Sequence, residues 1–85
     1  MMAIKVRFFA ALRERLGVES MEISSAARFD LDGLLEVIGR RLGDHAIAVL
    51  RAPNVRIAIN REFVTGECVV NDGDEIAFMP PITGG

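Results

Sequence analysis

Polar and apolar residues alternate at the start of the chain, where Ile4, Val6 and Phe8 interleave with Lys5 and Arg7 in AIKVRFF. A period of two predicts a strand with one buried face. In AALRERLG the period changes: Leu12 and Leu16 lie one helical turn apart and Gly17 is placed to end the turn, which predicts a short helix. VESMEI is a second strand candidate through Met21 and Ile23, although Val18 has the wrong parity and leaves its start open. The longest helical pattern is DLDGLLEVIGRRLG, with Leu31, Leu34, Leu35, Ile38 and Leu42 on one stripe. Asp30 can cap its amino end, Arg40 and Arg41 suit the negative end of its dipole, and Gly43 is the expected stop. Gly33 and Gly39 each weaken that helix by about 1 kcal/mol relative to alanine, so packing has to help it.

After this helix, DHAIAVLRAPN reads as either a short helix or an irregular crossing ended by Pro53 and Asn54. The second half then returns to alternation. VRIAIN sets Val55, Ile57 and Ile59 against Arg56, Ala58 and Asn60; REFV begins a return; ECVV is another short strand; and NDGD carries an Asp-Gly pair typical of a tight hairpin. EIAFM turns Ile76 and Phe78 inward and leaves Ala77 and Met79 on the opposite face. About five strands and one main helix predict an α+β roll, a mixed sheet curled around the helix. The last strand is expected in its middle, because otherwise its apolar face would stay uncovered. The division expected is a folded domain over residues 1–79 and an extended tail over residues 80–85.

Composition narrows the class. Eighty-five residues suit one core, and 51% apolar residues can build it without metal or disulfide. Cys68 stands alone, which excludes an internal disulfide and fits a reducing cytoplasm. A net charge of −2 argues against nucleic acid as a partner, and no apolar run is long enough for a membrane span. His45 has no nearby Cys or His and reads as a loop histidine; Asp72, Asp74 and Glu75 are better explained by a turn than by a metal, so no metal site is expected. Cys68 itself reads as a small structural hydrophobe.

Candidate chemistry sits in FMPPITGG. Pro80 and Pro81 cannot continue a ladder and favour a stiff, extended path. Six residues from Pro80 to Gly85 would reach about 20 Å. Gly84 and Gly85 carry no side chain, so with Ile82 and Thr83 behind them they form a thin probe able to thread a channel. A free carboxylate is a poor electrophile and needs activation, for example as an acyl-adenylate that a sulfur or amine nucleophile can attack. The chain has neither a P-loop nor a GxGxxG loop to activate it, so it would be the carried object and not the catalyst. A frayed end of small residues is the plain alternative.

The segments VRFFAALRERLG, IAINREFV and DGDEIAFMPPITGG closely resemble the MoaD family, the small sulfur-carrier subunits of molybdopterin synthase within the ubiquitin-like β-grasp group. The resemblance extends over essentially the whole length. Met79, where the family frequently has an aromatic residue, is a mild departure. It implies that Gly85 is adenylated and then converted to a thiocarboxylate, with Gly84 as its sterically required neighbour. It also implies an ATP-using adenylyltransferase related to ubiquitin-activating enzymes, and a sulfur donor such as a cysteine desulfurase or rhodanese. A large synthase subunit would complete a heterotetramer that converts cyclic pyranopterin monophosphate to molybdopterin, with no cofactor bound by this chain. Phe9, Arg13 and Met79 are the expected partner contacts. Phe9 could instead pack under the first helix, and Arg13 could be a solvated helix charge. Rival functions are sulfur transfer to thiamine or tRNA, and ubiquitin-like modification of proteins, for which Lys5 would be the single lysine available for chains. A plant-type [2Fe-2S] ferredoxin is excluded because its cluster needs four cysteines.

Overall fold

The alternation at the start forms β1 (Met2–Phe8), whose Met2, Ile4, Val6 and Phe8 are all buried. The computed structural model describes residues 2–26, 29–65 and 68–80. Helix α1 (Ala10–Leu16) follows at once, with only Leu12 fully buried, and Gly17 closes it at φ 71, a left-handed conformation that costs glycine little. Ala10 enters α1 at φ 51, an uncommon conformation for a residue with a Cβ. The second strand, β2 (Ser20–Ser25), pairs antiparallel with β1, Ile4 facing Ile23.

Asp30 caps the main helix α2 (Leu31–Leu42) as its sequence predicts: its carboxylate accepts from the Gly33 N–H at 2.9 Å. The stripe Leu31, Leu34, Leu35 and Ile38 is buried against the sheet, while Leu42 is only half-buried near the helix end. The ambiguous segment that follows is helical: α3 (Asp44–Leu50) packs on α2, with Ile47 against Gly39 and with Ala46, Val49 and Leu50 buried. His45 lies on this helix, exposed, and not in a loop.

The main sheet is completed by β4 (Arg56–Ile59), β5 (Glu62–Val64) and β7 (Glu75–Met79), in the order β2-β1-β7-β4-β5. The last strand is therefore central, parallel to β1 and antiparallel to β4. Its Ile76 and Phe78 are fully buried, and Phe78 stacks on Phe8 with ring centroids 5.8 Å apart. This is the expected α+β roll, with two departures.

The first concerns ECVV. Its two-residue strand β6 (Val69–Val70) stays out of the main sheet and pairs with β3 (Phe29–Asp30), a strand the alternation did not reveal. The Asn71–Asp74 turn consequently does not close a hairpin, since β6 and β7 are not paired. It is a clamp instead. The Asp72 carboxylate accepts from the Ala3 N–H at 2.7 Å, and Asp74 accepts from the Asn71 N–H and the Asn60 side-chain amide, both at 2.8 Å. Those bonds tie the start of β7 to β1 and to the β4–β5 turn.

The second concerns VRIAIN. Ile57 and Ile59 are half-buried, whereas Ala58, expected on the open face, is 4% exposed. Ala58 does lie on the face away from the core, between Ala77 of β7 and Phe63 of β5 in the ladder, but its single methyl sits at the bottom of a depression walled by Phe9, Phe63 and Met79. The turn joining these strands is Asn60-Arg61, with φ 51 and 72. Positive φ at both central residues is a type I′ hairpin turn, in which glycine is strongly favoured at the position Arg61 occupies. Among the described residues no helix is long and apolar enough to cross a membrane.

Candidate docking face at the root of the tail

Because β7 has a hydrogen-bonded neighbour on each side, its end is fixed in direction as well as position. Phe8 stands opposite Phe78 and Arg56 opposite Met79, and the Phe9 N–H donates to the Phe78 carbonyl at 3.1 Å. Pro80, half-buried, follows directly and leaves the ladder. Pro81, Ile82, Thr83, Gly84 and Gly85 lie outside the described residues.

The face of β7 opposite the core opens onto a groove of about 250 Å³. Ala58 and Ala77 form its floor, directly opposite each other in the ladder. Phe9, Phe63 and Met79 are its apolar walls, and Arg7, Arg61 and Glu75 stand at its edge. Small residues on the floor are what make the depression, since any longer side chain at Ala58 or Ala77 would fill it. Phe9 is 36% and Phe63 55% exposed, unusual for large aromatics not held by a core.

Each of these rings carries a cation. The Arg7 guanidinium lies 5.1 Å from the centre of the Phe9 ring, and that of Arg56 lies 4.6 Å from the centre of Phe63. Arg7 also meets Glu75 at 3.6 Å in a solvent-exposed pair that contributes well under about 1 kcal/mol to folding. The arrangement has apolar walls, a small-residue floor and a charged rim, which is the anatomy of a protein-binding surface. It holds no nucleophile–base pair, and no group of three potential metal ligands occurs among the described residues.

Of the contacts predicted from the sequence, Phe9 and Met79 line this groove together. Phe9 stands at the amino cap of α1 in an extended conformation and not within the strand. Arg13 is exposed on α1 and is not among the lining residues. Sequence reasoning missed Phe63: REFV is too short to assign a face, and the pairing of Phe63 with Ala58 is what turns the ring outward. Arg61 was missed because its role depends on the turn geometry. Cys68 is half-buried against the core beside β6, and its carbonyl accepts from the Leu31 N–H.

The sequence profile of the ThiS family matches residues 6–85. A molybdopterin synthase sulfur carrier subunit of Escherichia coli K12 is 37% identical over 96% of this chain and 99% of its own length. Among solved structures, a Helicobacter pylori protein–protein complex of subunits 1 and 2 of molybdopterin-converting factor contains a chain that matches with TM-score 0.67 and 26% identity, covering 99% of this chain and 100% of that one. The small archaeal modifier protein 1 of Methanosarcina acetivorans, at TM-score 0.76 and 23% identity over 100% of this chain and 98% of that one, shares the ubiquitin-like β-grasp fold. By profile, by full-length identity and by fold, the chain belongs to the ThiS family, alongside the molybdopterin synthase sulfur carrier subunits.

Proposed function

We propose that this protein is the sulfur carrier of molybdenum cofactor biosynthesis. The observation that carries the reading is the join between β7 and the tail. A strand locked at the centre of the sheet runs directly into Pro-Pro-Ile-Thr-Gly-Gly, on a body similar over 96% of its length to a named sulfur carrier subunit.

In this reading the Gly85 carboxylate attacks the α-phosphorus of ATP in an adenylyltransferase related to ubiquitin-activating enzymes, forming the glycyl adenylate and releasing pyrophosphate. The terminal sulfur of a persulfide-bearing donor, a cysteine desulfurase or rhodanese, then displaces AMP to give an acyl disulfide. A second thiol of the donor or activating enzyme cleaves that bond, leaving the thiocarboxylate and a disulfide between the two partner thiols. The thiocarboxylate is ionised near neutral pH and is a soft nucleophile. Gly84 keeps the tip narrow while the tail enters the large synthase subunit, where sulfur passes to cyclic pyranopterin monophosphate. Two such deliveries build the dithiolene of molybdopterin, in a heterotetramer of two small and two large subunits. ATP is bound by the activating partner, and this chain holds no cofactor. The groove walled by Phe9, Phe63 and Met79 is the docking face for the large subunit, and the work takes place in the cytoplasm.

The test is the mass of the protein isolated from its native cells, with the C-terminal peptide sequenced. Replacement of one oxygen by sulfur at Gly85 is the expected result. A branched peptide joining Gly85 to a lysine of another protein would identify a modifier instead. Undiminished molybdopterin synthesis after deletion of Gly85 would overturn the mechanism.

A further inference from the structure

We infer that the groove selects a partner segment in which an apolar side chain is flanked by carboxylates, and that Arg61 is the residue that determines this selectivity. The inference rests on the reading of the groove as the docking face and specifies what that face recognises.

Charge is unevenly spread over the molecule. The chain as a whole carries −2, yet the outer face of the sheet gathers Lys5, Arg7, Arg56 and Arg61 against Glu22 and Glu75. Arg7 is already engaged with Glu75. Neither Arg56 nor Arg61 has an ion-pair partner among the described residues. Arg56 lies over the Phe63 ring, and a guanidinium on a ring face can still offer its N–H groups to an acceptor.

Arg61 is the more informative of the two. It stands at φ 72 in a two-residue turn where glycine is the favoured residue, so the turn itself gains nothing from arginine. The side chain is on the edge of the groove, opposite the apolar floor of Ala58 and Ala77. A guanidinium beside an apolar depression binds carboxylates in a forked, directional way once docking excludes water. The same cations attract an acidic surface before contact and repel a basic one, giving selectivity at the encounter.

The experiment measures association of the full-length protein with the large synthase subunit from the same cells, by stopped flow, from about 50 to 500 mM salt. The parent should associate quickly at low salt and slow steeply as salt rises. Arg61→Gly should lower the low-salt association rate about ten-fold and flatten the salt dependence, with an equal or higher thermal midpoint. Arg61→Lys, which keeps the charge but loses the fork, should restore the association rate more than the dissociation rate. Phe63→Ala separates the two layers of the argument. If it weakens binding while Arg61→Gly changes neither rate nor salt dependence, the face docks but does not read carboxylates, and the inference falls alone. Should Phe63→Ala also leave binding unchanged, the docking reading falls with it. A lowered thermal midpoint in Arg61→Gly would assign Arg61 to the turn and overturn its role in recognition.

Discussion

Gly39 lies in the middle of α2, where glycine weakens a helix by about 1 kcal/mol relative to alanine, so replacement by alanine ought to stabilise the protein. The packing of α3 predicts the reverse. Gly39 is buried, and a Cβ built on it would stand 2.5 Å from Cγ1 of Ile47, with Cδ1 of the same side chain also in its way. Carbon atoms pack comfortably at about 3.5–4.0 Å, so Ile47 or the whole of α3 has to retreat by about 1 Å. Overpacking of this kind costs about 1–3 kcal/mol, which outweighs the gain in helix propensity. Gly39→Ala should therefore be about 1 kcal/mol less stable than the parent, a fall in thermal midpoint of about 4–8 °C for a domain of this size. Shortening the obstructing side chain provides the control. In an Ile47→Ala background the added methyl finds space, and Gly39→Ala should then stabilise by about 1 kcal/mol. The coupling between the two sites is thus about 2 kcal/mol. Urea unfolding of the parent, both single variants and the double variant, followed by far-ultraviolet circular dichroism, measures all four corners. Additive effects, or a Gly39→Ala protein at least as stable as the parent, would refute the claim that close approach of α3 is what requires glycine.

Three further outcomes bear on the cap, the groove and the tail. Asp30→Ala removes the acceptor of the Gly33 N–H and should lower stability by about 1 kcal/mol in the same urea assay, with an unchanged slope. Phe63→Ala should leave the folded body within about 0.5 kcal/mol of the parent because the ring is 55% exposed, yet weaken binding of the large synthase subunit by about 2 kcal/mol in titration calorimetry. Gly84→Val should leave unfolding unchanged and abolish thiocarboxylate formation or its use, read as loss of the sulfur-bearing C-terminal peptide or of molybdopterin in a reconstituted synthase.

The parts of the fold visible in the sequence are those whose cause is local. Asp30 and the stripe after it identify α2 because the cap immediately precedes the twelve residues that carry the period. Alternation identifies β1 and β7 for the same reason. The β3–β6 pair was not readable, since two residues have no period and Phe29 and Val70 meet only through the tertiary fold. The Asp72 carboxylate likewise serves an N–H 69 positions away, so a sequence that spells a hairpin turn instead builds a clamp. The proposed docking face follows the same rule: Met79 could be anticipated from the parity of β7 and Phe9 from the alternation that runs one residue past the end of β1, whereas Phe63 and Arg61 needed the register of β4 against β5.

That register also explains how one strand serves both stability and delivery. A tail attached to an edge strand would have a ladder on one side only, and its direction could shift with the edge. Here β7 is pinned at its start by Asp72 and Asp74, along its length by β1 and β4, and at its end by the Phe9 N–H. Ile76 and Phe78 hold it from the core side, and their burial determines where Met79 and Pro80 stand relative to Phe9 and Phe63. The opposite side of the same strand contributes Ala77, which adds little to the core but keeps the groove floor open. If the groove is the docking face proposed above, the inward residues of β7 set the geometry of recognition without touching the partner. In the proposed reading the outward ones set its strength and selectivity while leaving the core largely alone, so docking contacts and core packing could vary almost independently along five residues.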